Sequence, residues 1–402
     1  MTLADLPGMT ANAFVLQQPT SLRVAVVTET YPPEVNGVAM TLGRIVEALQ
    51  RRRHHVQLIR PRQGVTDSAA QGAWLEEVLK PGIPIPRYDG LKIGLPDKGG
   101  LLQLWRLKRP DIVHIVTEGP LGWSALAAAV ELKLPVSTGF HTNFHSYSKH
   151  YGMGFLNKPI ATYLRKFHNR ALATLVPTEG LRKELDSNGF ENLHVVSRGV
   201  DTRLFSPLRR SLEMRQAWGA GEHGIVAMYV GRMAPEKNLP LAVRAFLAMH
   251  ERNPQVQLVM VGDGPARASL AGRNPDVVFA GTRSGEDLAT HYASADVFLF
   301  PSLTETFGNV TLEAMASGLA VVEYEYAGAR QCMVHEESGL LAPFGDSNAF
   351  LGMAAGLMED SGRMARLRLC ARAAAERIGW ESVVDRFESV LRSVIERRAA
   401  CA

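Results

Sequence analysis

Two basic side chains, Arg232 and Lys237, stand five positions apart in "GRMAPEKN", and two acids, Glu305 and Glu313, stand eight apart in "ETFGNVTLE". Each pair falls where a strand pattern gives way to a helix pattern. "IVAMYVG" before the first pair and "DVFLFPS" (296–302) before the second are short apolar runs that read as buried strands. "NVTLEAMASG" (309–318) opens on Asn309, a favoured helix N-cap, and stops at Gly318. Glu305 is therefore expected in a strand-to-helix loop, and Glu313 about one turn into the helix. Glu313 alone reads as an acid complementing a helix dipole. That reading does not cover "TETFG", where an acid, an aromatic ring and a glycine share a loop at a strand's carboxyl end, the edge at which open α/β sheets bind ligands. Such loops share one sheet edge, so residues distant in sequence converge there. Two cations beside a helix N-terminus suit a diphosphate, and a nearby carboxylate suits paired hydroxyls. The combination fits a sugar nucleotide.

The elements that must position these residues follow one pattern throughout. Apolar runs alternate with helical segments, the signature of parallel sheets covered by helices. In the first half the runs are 22–29, 55–61, 111–118, 134–141, 173–179 and 193–199. The series restarts at 224–231, 256–264, 276–281, 296–302 and 319–326. Between them "RGVDTRLFSPLRR" (198–210) is polar and contains proline, as a linker would. The fold class is α/β, with Rossmann-like domains expected over 21–200 and 201–380. A C-terminal helix over 381–402 either caps the second domain or returns to the first. Each domain opens with a strand, loop and helix; in the first, Asn36-Gly37 ends the loop, and the helix behind it is expected to offer free N–H groups to a phosphate. Neither of these opening units contains G-x-G-x-x-G, and no P-loop is present, so dinucleotide chemistry lacks its usual signal.

At 402 residues, with 46% hydrophobic and 21% charged side chains, the chain is an ordinary globular one. No secretory leader or spanning segment is read in it, and Cys332, Cys370 and Cys401 lack metal spacing, so a reducing, cytoplasmic setting is expected. The net charge is +4, yet residues 1–197 hold 22 basic against 16 acidic side chains, so the basic excess belongs to the first half. No recognition-helix or aromatic RNA pattern accompanies that charge, which argues against nucleic acid. An anionic membrane surface suits it better.

"GRMAPEKN" together with the E-x7-E of "ETFGNVTLE" resembles the retaining GT-B glycosyltransferases of family 4. The likeness extends through "TETYPPEVNGVA", "GFHTNFHSY", "VPTEGLRKEL", "RGVDTRLFSP" and "VGDGP". "TEGPLGWSAL" and "FPSLTETFGNVTLEAMASG" are similar to the branch of GDP-mannose-dependent α-mannosyltransferases, whose neighbours glycosylate lipids. The resemblance implies two Rossmann-like domains with parallel sheets facing across a cleft. It implies that Arg232 and Lys237 hold the donor diphosphate as leaving group and that Glu313 binds ribose hydroxyls. Glu305, with the backbone of Phe307 and Gly308 and the adjoining Asn309 and Val310, would bind the donor. Gly37 would let the first domain close over the phosphates, and His141 would stand against the donor sugar. His114 reads as core, while His145 and Tyr147 are acceptor-side candidates. One departure is Ala327-Gly328, where family members carry Gly-Gly.

No Asp-x-Asp is present, so no metal or other cofactor is expected. Retention through a covalent intermediate would need a carboxylate nucleophile. Glu305 is the one candidate, and its implied role is sugar binding, which favours front-face attack with the departing phosphate taking the acceptor's proton. The acceptor is expected to be a lipid-linked or glycan hydroxyl. Arg44, Arg51–Arg53, Lys158, Arg165 and Lys166, with Phe155 and Leu156, are expected to dock the basic half on the inner face of the plasma membrane. A UDP-sugar donor for a diacylglycerol glycolipid, a sugar-nucleotide epimerase, and a non-catalytic sugar-nucleotide binder remain alternatives.

Overall fold

A computed structural model of the chain describes residues 21–34, 36–64, 66–84, 92–141 and 157–400. Two sheets organise it. In the first, the strands run in the order Leu193–Val195, Ala173–Val176, Val136–Gly139, Ile112–Ile115, Arg23–Val27, His55–Pro61, Leu75–Lys80 and Gln71–Gly72. All neighbours are parallel except the last pair. In the second, wholly parallel, the order is Val278–Gly281, Val256–Val261, Ile225–Val230, Val297–Phe300, Ala320–Tyr324 and Leu340–Ala342. The central strands are rich in Val, Ile, Leu and Phe because helices cover both faces, so nearly all of their side chains are buried.

In each sheet the strand order reverses once. The switch lies between Arg23–Val27 and Ile112–Ile115 in the first sheet, and between Ile225–Val230 and Val297–Phe300 in the second. Connections diverge to opposite faces at such a point and leave a crevice at the carboxyl ends of the strands. Arg232 and Lys237 follow one strand flanking the second switch, and Glu305 follows the other.

Five strands escaped the apolar-run reading: Gln71–Gly72, Leu75–Lys80, the antiparallel pair Gly82–Pro84 and Lys92–Gly94, and Leu340–Ala342. Leu75–Lys80 carries Glu76 and Glu77 inside it, and buried Arg60 neutralises Glu77 at 3.1 Å. The stretch 198–210 is more structured than a plain linker. Val200 donates its amide to Ile378 O at 3.1 Å, and Arg210 bonds Asp296 at 2.7 Å.

The helix Trp380–Ala400 crosses back to the first sheet. It packs on the helix Gly37–Arg51 and the strands Ile112–Ile115 and Val136–Gly139. Val383, Phe387, Leu391 and Val394 share a core with Val24, Leu42, Ile45 and Val46. This docking alters the expected basic face. Arg51 meets Glu47 and Glu381, while Arg52 meets Glu381, Asp385 and Glu388. Arg44 bonds Asp201 at 3.0 Å. The apolar stripe Leu42, Ile45, Val46 and Leu49 is buried as expected, but Arg44, Arg51 and Arg52 are largely occupied in joining elements of the fold. Among the described residues no helix is long and apolar enough to cross a membrane.

Candidate active site

The loop after Ile225–Val230 tightens into a short 3-10 turn, Pro235–Lys237, and the loop after Val297–Phe300 runs beside it. Leu303 N donates to Glu236 O at 3.0 Å, which ties the two loops across the switch point. Lys237 Nζ contacts Glu305 Oε1 directly, and both side chains keep about one-seventh of their surface open (15% and 14%). The ammonium lies 5.7 Å from the centroid of the Phe300 ring. Arg232 Nη2 contacts Oε1 of Glu236, an acid buried beneath it, and Tyr229 OH donates to Arg232 O at 3.0 Å. Two cations thus stand at the switch point, each steadied by a carboxylate.

The E-x7-E segment differs from expectation in one detail. The helix is Asn309–Ala316 and its N-cap is Gly308, in the left-handed region at φ 92°, with no side-chain cap. Asn309 is the first helical residue. Its Nδ2 would lie 3.7 Å from a Cβ placed on Gly37, so the opening loops of the two halves face one another across the cleft. Gly37 itself begins the helix Gly37–Arg51, but Asn36 Oδ1 already accepts from Val38 N and Ala39 N at 3.1 and 2.9 Å. The run of free N–H groups expected there is therefore partly capped.

Glu313 Oε2 accepts from Tyr292 OH at 3.0 Å. Burial pushes this carboxyl up to about 7, against the tyrosine bond that favours its charged form. Below the loop, fully buried Glu323 accepts from Thr311 Oγ1 at 2.7 Å, and burial holds it well above the usual carboxylate range, with Glu305 adding to the shift.

At Ala327-Gly328 the structure separates two requirements. Gly328 N donates to Phe307 O at 2.9 Å, and a Cβ there would fall 2.4 Å from that oxygen, so this glycine positions the loop that carries Phe307. Ala327 sits at φ 49°, a region costing a side chain about 1 kcal/mol, which accounts for glycine being usual there.

His141 lies in the first half, two residues past Val136–Gly139 and half-buried. Among the described hydrogen bonds it is engaged by Arg198 in its own half, with none from the second-half group. His114 is core, bonded to Ser137 at 3.0 Å, and burial pushes it down to about 3. His145, Tyr147, Phe155, Leu156, Cys401 and the side chain of Lys158 lie outside the described residues. Cys332 and Cys370 are free thiols, and burial pushes Cys332 up to about 12. Tyr292, Glu236, Glu323 and Arg198 were missed in the sequence. Only Glu236 had a local signal, its spacing of four from Arg232 within the quoted motif.

A GDP-mannose-dependent alpha-mannosyltransferase of Mycobacterium tuberculosis is 33% identical over 386 residues, covering 95% of this chain and 99% of its own. Residues 35–204 match the model described as Glycosyltransferase Family 4, and 224–360 the model described as Glycosyl transferases group 1. The chain belongs to glycosyltransferase family 4. A second GDP-mannose-dependent alpha-mannosyltransferase, from Corynebacterium glutamicum, is 32% identical over 94% of this chain and 89% of its own. An alpha-monoglucosyldiacylglycerol synthase of Streptococcus pneumoniae is 26% identical over 75% and 71%. Among solved structures, HepE of Anabaena in complex with UDP and glucose superposes with a TM-score of 0.71 at 19% identity, over 92% of this chain and all of that one. That likeness shows the shared fold, GT-B, and the family makes the protein a hexosyltransferase.

Proposed function

We propose that this family 4 enzyme transfers mannose from GDP-mannose, with retention, to a hydroxyl of a lipid-linked or glycan acceptor. The reading rests above all on the convergence of Arg232, Lys237 and Glu305 at the second switch point, beside relatives that carry this donor in their names. Arg232 and Lys237 take the diphosphate, Glu313 the ribose, and Glu305 the sugar, with the backbone of Phe307 and Gly308. No metal is required in this scheme, because two cations meet the charge that develops on the leaving group. With no second carboxylate assigned beneath the sugar, the acceptor enters on the leaving group's side and its proton passes to the departing phosphate. The acceptor comes from the membrane surface, docked through the exposed Arg165 and Lys166 beside exposed Tyr163.

A second reading, a UDP-sugar donor and a diacylglycerol acceptor, is favoured by the likeness to the glucosyldiacylglycerol synthase. Turnover measured on GDP-mannose and on UDP-hexoses, with acceptors in anionic vesicles and in solution, separates the two. GDP-mannose is expected to be used at least about tenfold faster than any UDP-hexose. Faster use of a UDP-hexose overturns the first reading.

The two acids divide the donor between them. Glu313→Gln weakens GDP binding, whereas Glu305→Gln leaves GDP affinity within about twofold and lowers transfer. Because ribose hydroxyls donate to an ionised Glu313, GDP binding is linked to loss of its proton. With the carboxyl at about 7, wild-type affinity falls about tenfold more than that of Glu313→Gln between pH 8 and pH 6. Titration calorimetry of both proteins with GDP in the same buffers removes the nucleotide's own ionisation. Stability runs the other way: a carboxyl raised by folding contributes fully below about pH 4.5 and loses that contribution as pH rises through about 7. Glu313→Gln is therefore more stable than wild type at pH 8 without ligand.

A further inference from the structure

Arg198 is only 6% exposed, although it stands three residues past the strand Leu193–Val195 and beside the crossing to the second half. Among the described residues no carboxylate lies within ion-pair distance of it. Residues 142–156, which follow His141 in the chain, contain no acid in their sequence. Its recorded partner is Nδ1 of His141, 2.8 Å from Nη2. The two side chains line a narrow cavity with His114, Gly139 and Phe387. Gly139 is small for a reason: a Cβ there would fall 2.5 Å from His141 Nε2.

A guanidinium has only donors and keeps its charge in proteins. The bond from Arg198 therefore ends on a lone pair of Nδ1, and the ring proton must sit on Nε2. We propose that Arg198 is a positioning residue that fixes His141 as the neutral, Nε2-protonated tautomer. His141 then serves the reacting centre as a hydrogen-bond donor, not as a general base or acid. Its place at that centre rests on the donor-site reading above; its tautomer does not.

The groups facing His141 from the surrounding elements act in one direction. Burial holds the imidazole well below its ordinary range, and Arg198, His114 and His168 each push it further down. His114 belongs to the strand Ile112–Ile115. His168 ends the helix Asn157–His168 and bonds Thr138 Oγ1 at 2.8 Å and Glu118 Oε1 at 3.2 Å. Burial also lowers Arg198, to about 10, which leaves it charged at neutral pH.

The test is nitrogen NMR of protein labelled with 15N-histidine, the His141 signals being assigned by their loss in His141→Asn. The expected result is an Nε2-protonated imidazole at pH 7 that persists to about pH 5.5. In Arg198→Gln the ring gains a proton about one pH unit or more higher. At saturating donor, turnover of that variant falls about threefold more than that of wild type between pH 8 and pH 6. Arg198→Lys, again a pure donor, restores the wild-type tautomer. A Nδ1-protonated or doubly protonated His141 in wild type at pH 7 overturns the proposal, as do identical His141 spectra in wild type and Arg198→Gln. Full turnover of His141→Asn beside the expected wild-type spectrum instead overturns the donor-site reading and leaves the tautomer assignment standing.

Discussion

Lys237→Ala lowers the turnover of sugar transfer by about 10² or more while the protein still folds. The ammonium contacts Glu305 at the switch point and is 15% exposed, so its removal opens no core cavity. It does leave Glu305 without its cation and, on the proposed function, the departing diphosphate without one of two positive charges. The loss should appear in kcat, because that charge develops as the glycosidic bond breaks. Lys237→Arg keeps the charge but not the geometry, and recovers only part of the rate. Steady-state kinetics beside hydrogen exchange separate a chemical defect from unfolding. Near-normal kcat in Lys237→Ala removes the leaving-group role.

Asp296→Ala has the largest expected effect on stability, about 3–5 kcal/mol. Asp296 opens the central strand Val297–Phe300 and is buried. It receives Arg210 at 2.7 Å, Arg215 at 2.9 Å, Arg368 at 3.0 Å and the amide of Val226 at 2.9 Å. Burial pushes this carboxyl up, but the three guanidiniums outweigh it and hold the group below the usual range. Its contribution is present above the unfolded value near 3.8 and is lost as pH falls through the lower folded value. Without it, Arg215, 1% exposed, becomes an uncompensated buried charge. Hydrogen exchange in Ile225–Val230 and Val297–Phe300 reads the loss locally. A change below 1 kcal/mol at neutral pH shows that the cluster stabilises nothing net.

Asp296 also marks the limit of what was legible. The run "DVFLFPS" announces a buried strand, since both of its faces must be apolar under covering helices. Nothing local says that its first residue gathers arginines from 210, 215 and 368, because such pairing depends on tertiary distance. The same contrast runs through the site. Arg232, Lys237 and Glu305 were readable because strand-to-helix loops share an edge whatever the sequence between them. Tyr292 beneath Glu313 and Arg198 against His141 arrive from elements far apart in the chain, with no periodicity to betray them. The partners of Arg51 and Arg52 were illegible for the same reason, since acids that meet them lie some 330 residues away on the last helix.

That last helix has a consequence for synthesis. Val383, Phe387, Leu391 and Val394 complete a core whose other members begin at Leu22. While the chain is still emerging from a ribosome, the first sheet lacks one wall of its interior until Trp380–Ala400 is made. The second sheet and its helices, contiguous in sequence, need nothing from beyond Ile378. The second half is therefore free to close without Trp380–Ala400, whereas the first half, though translated earlier, waits for that helix.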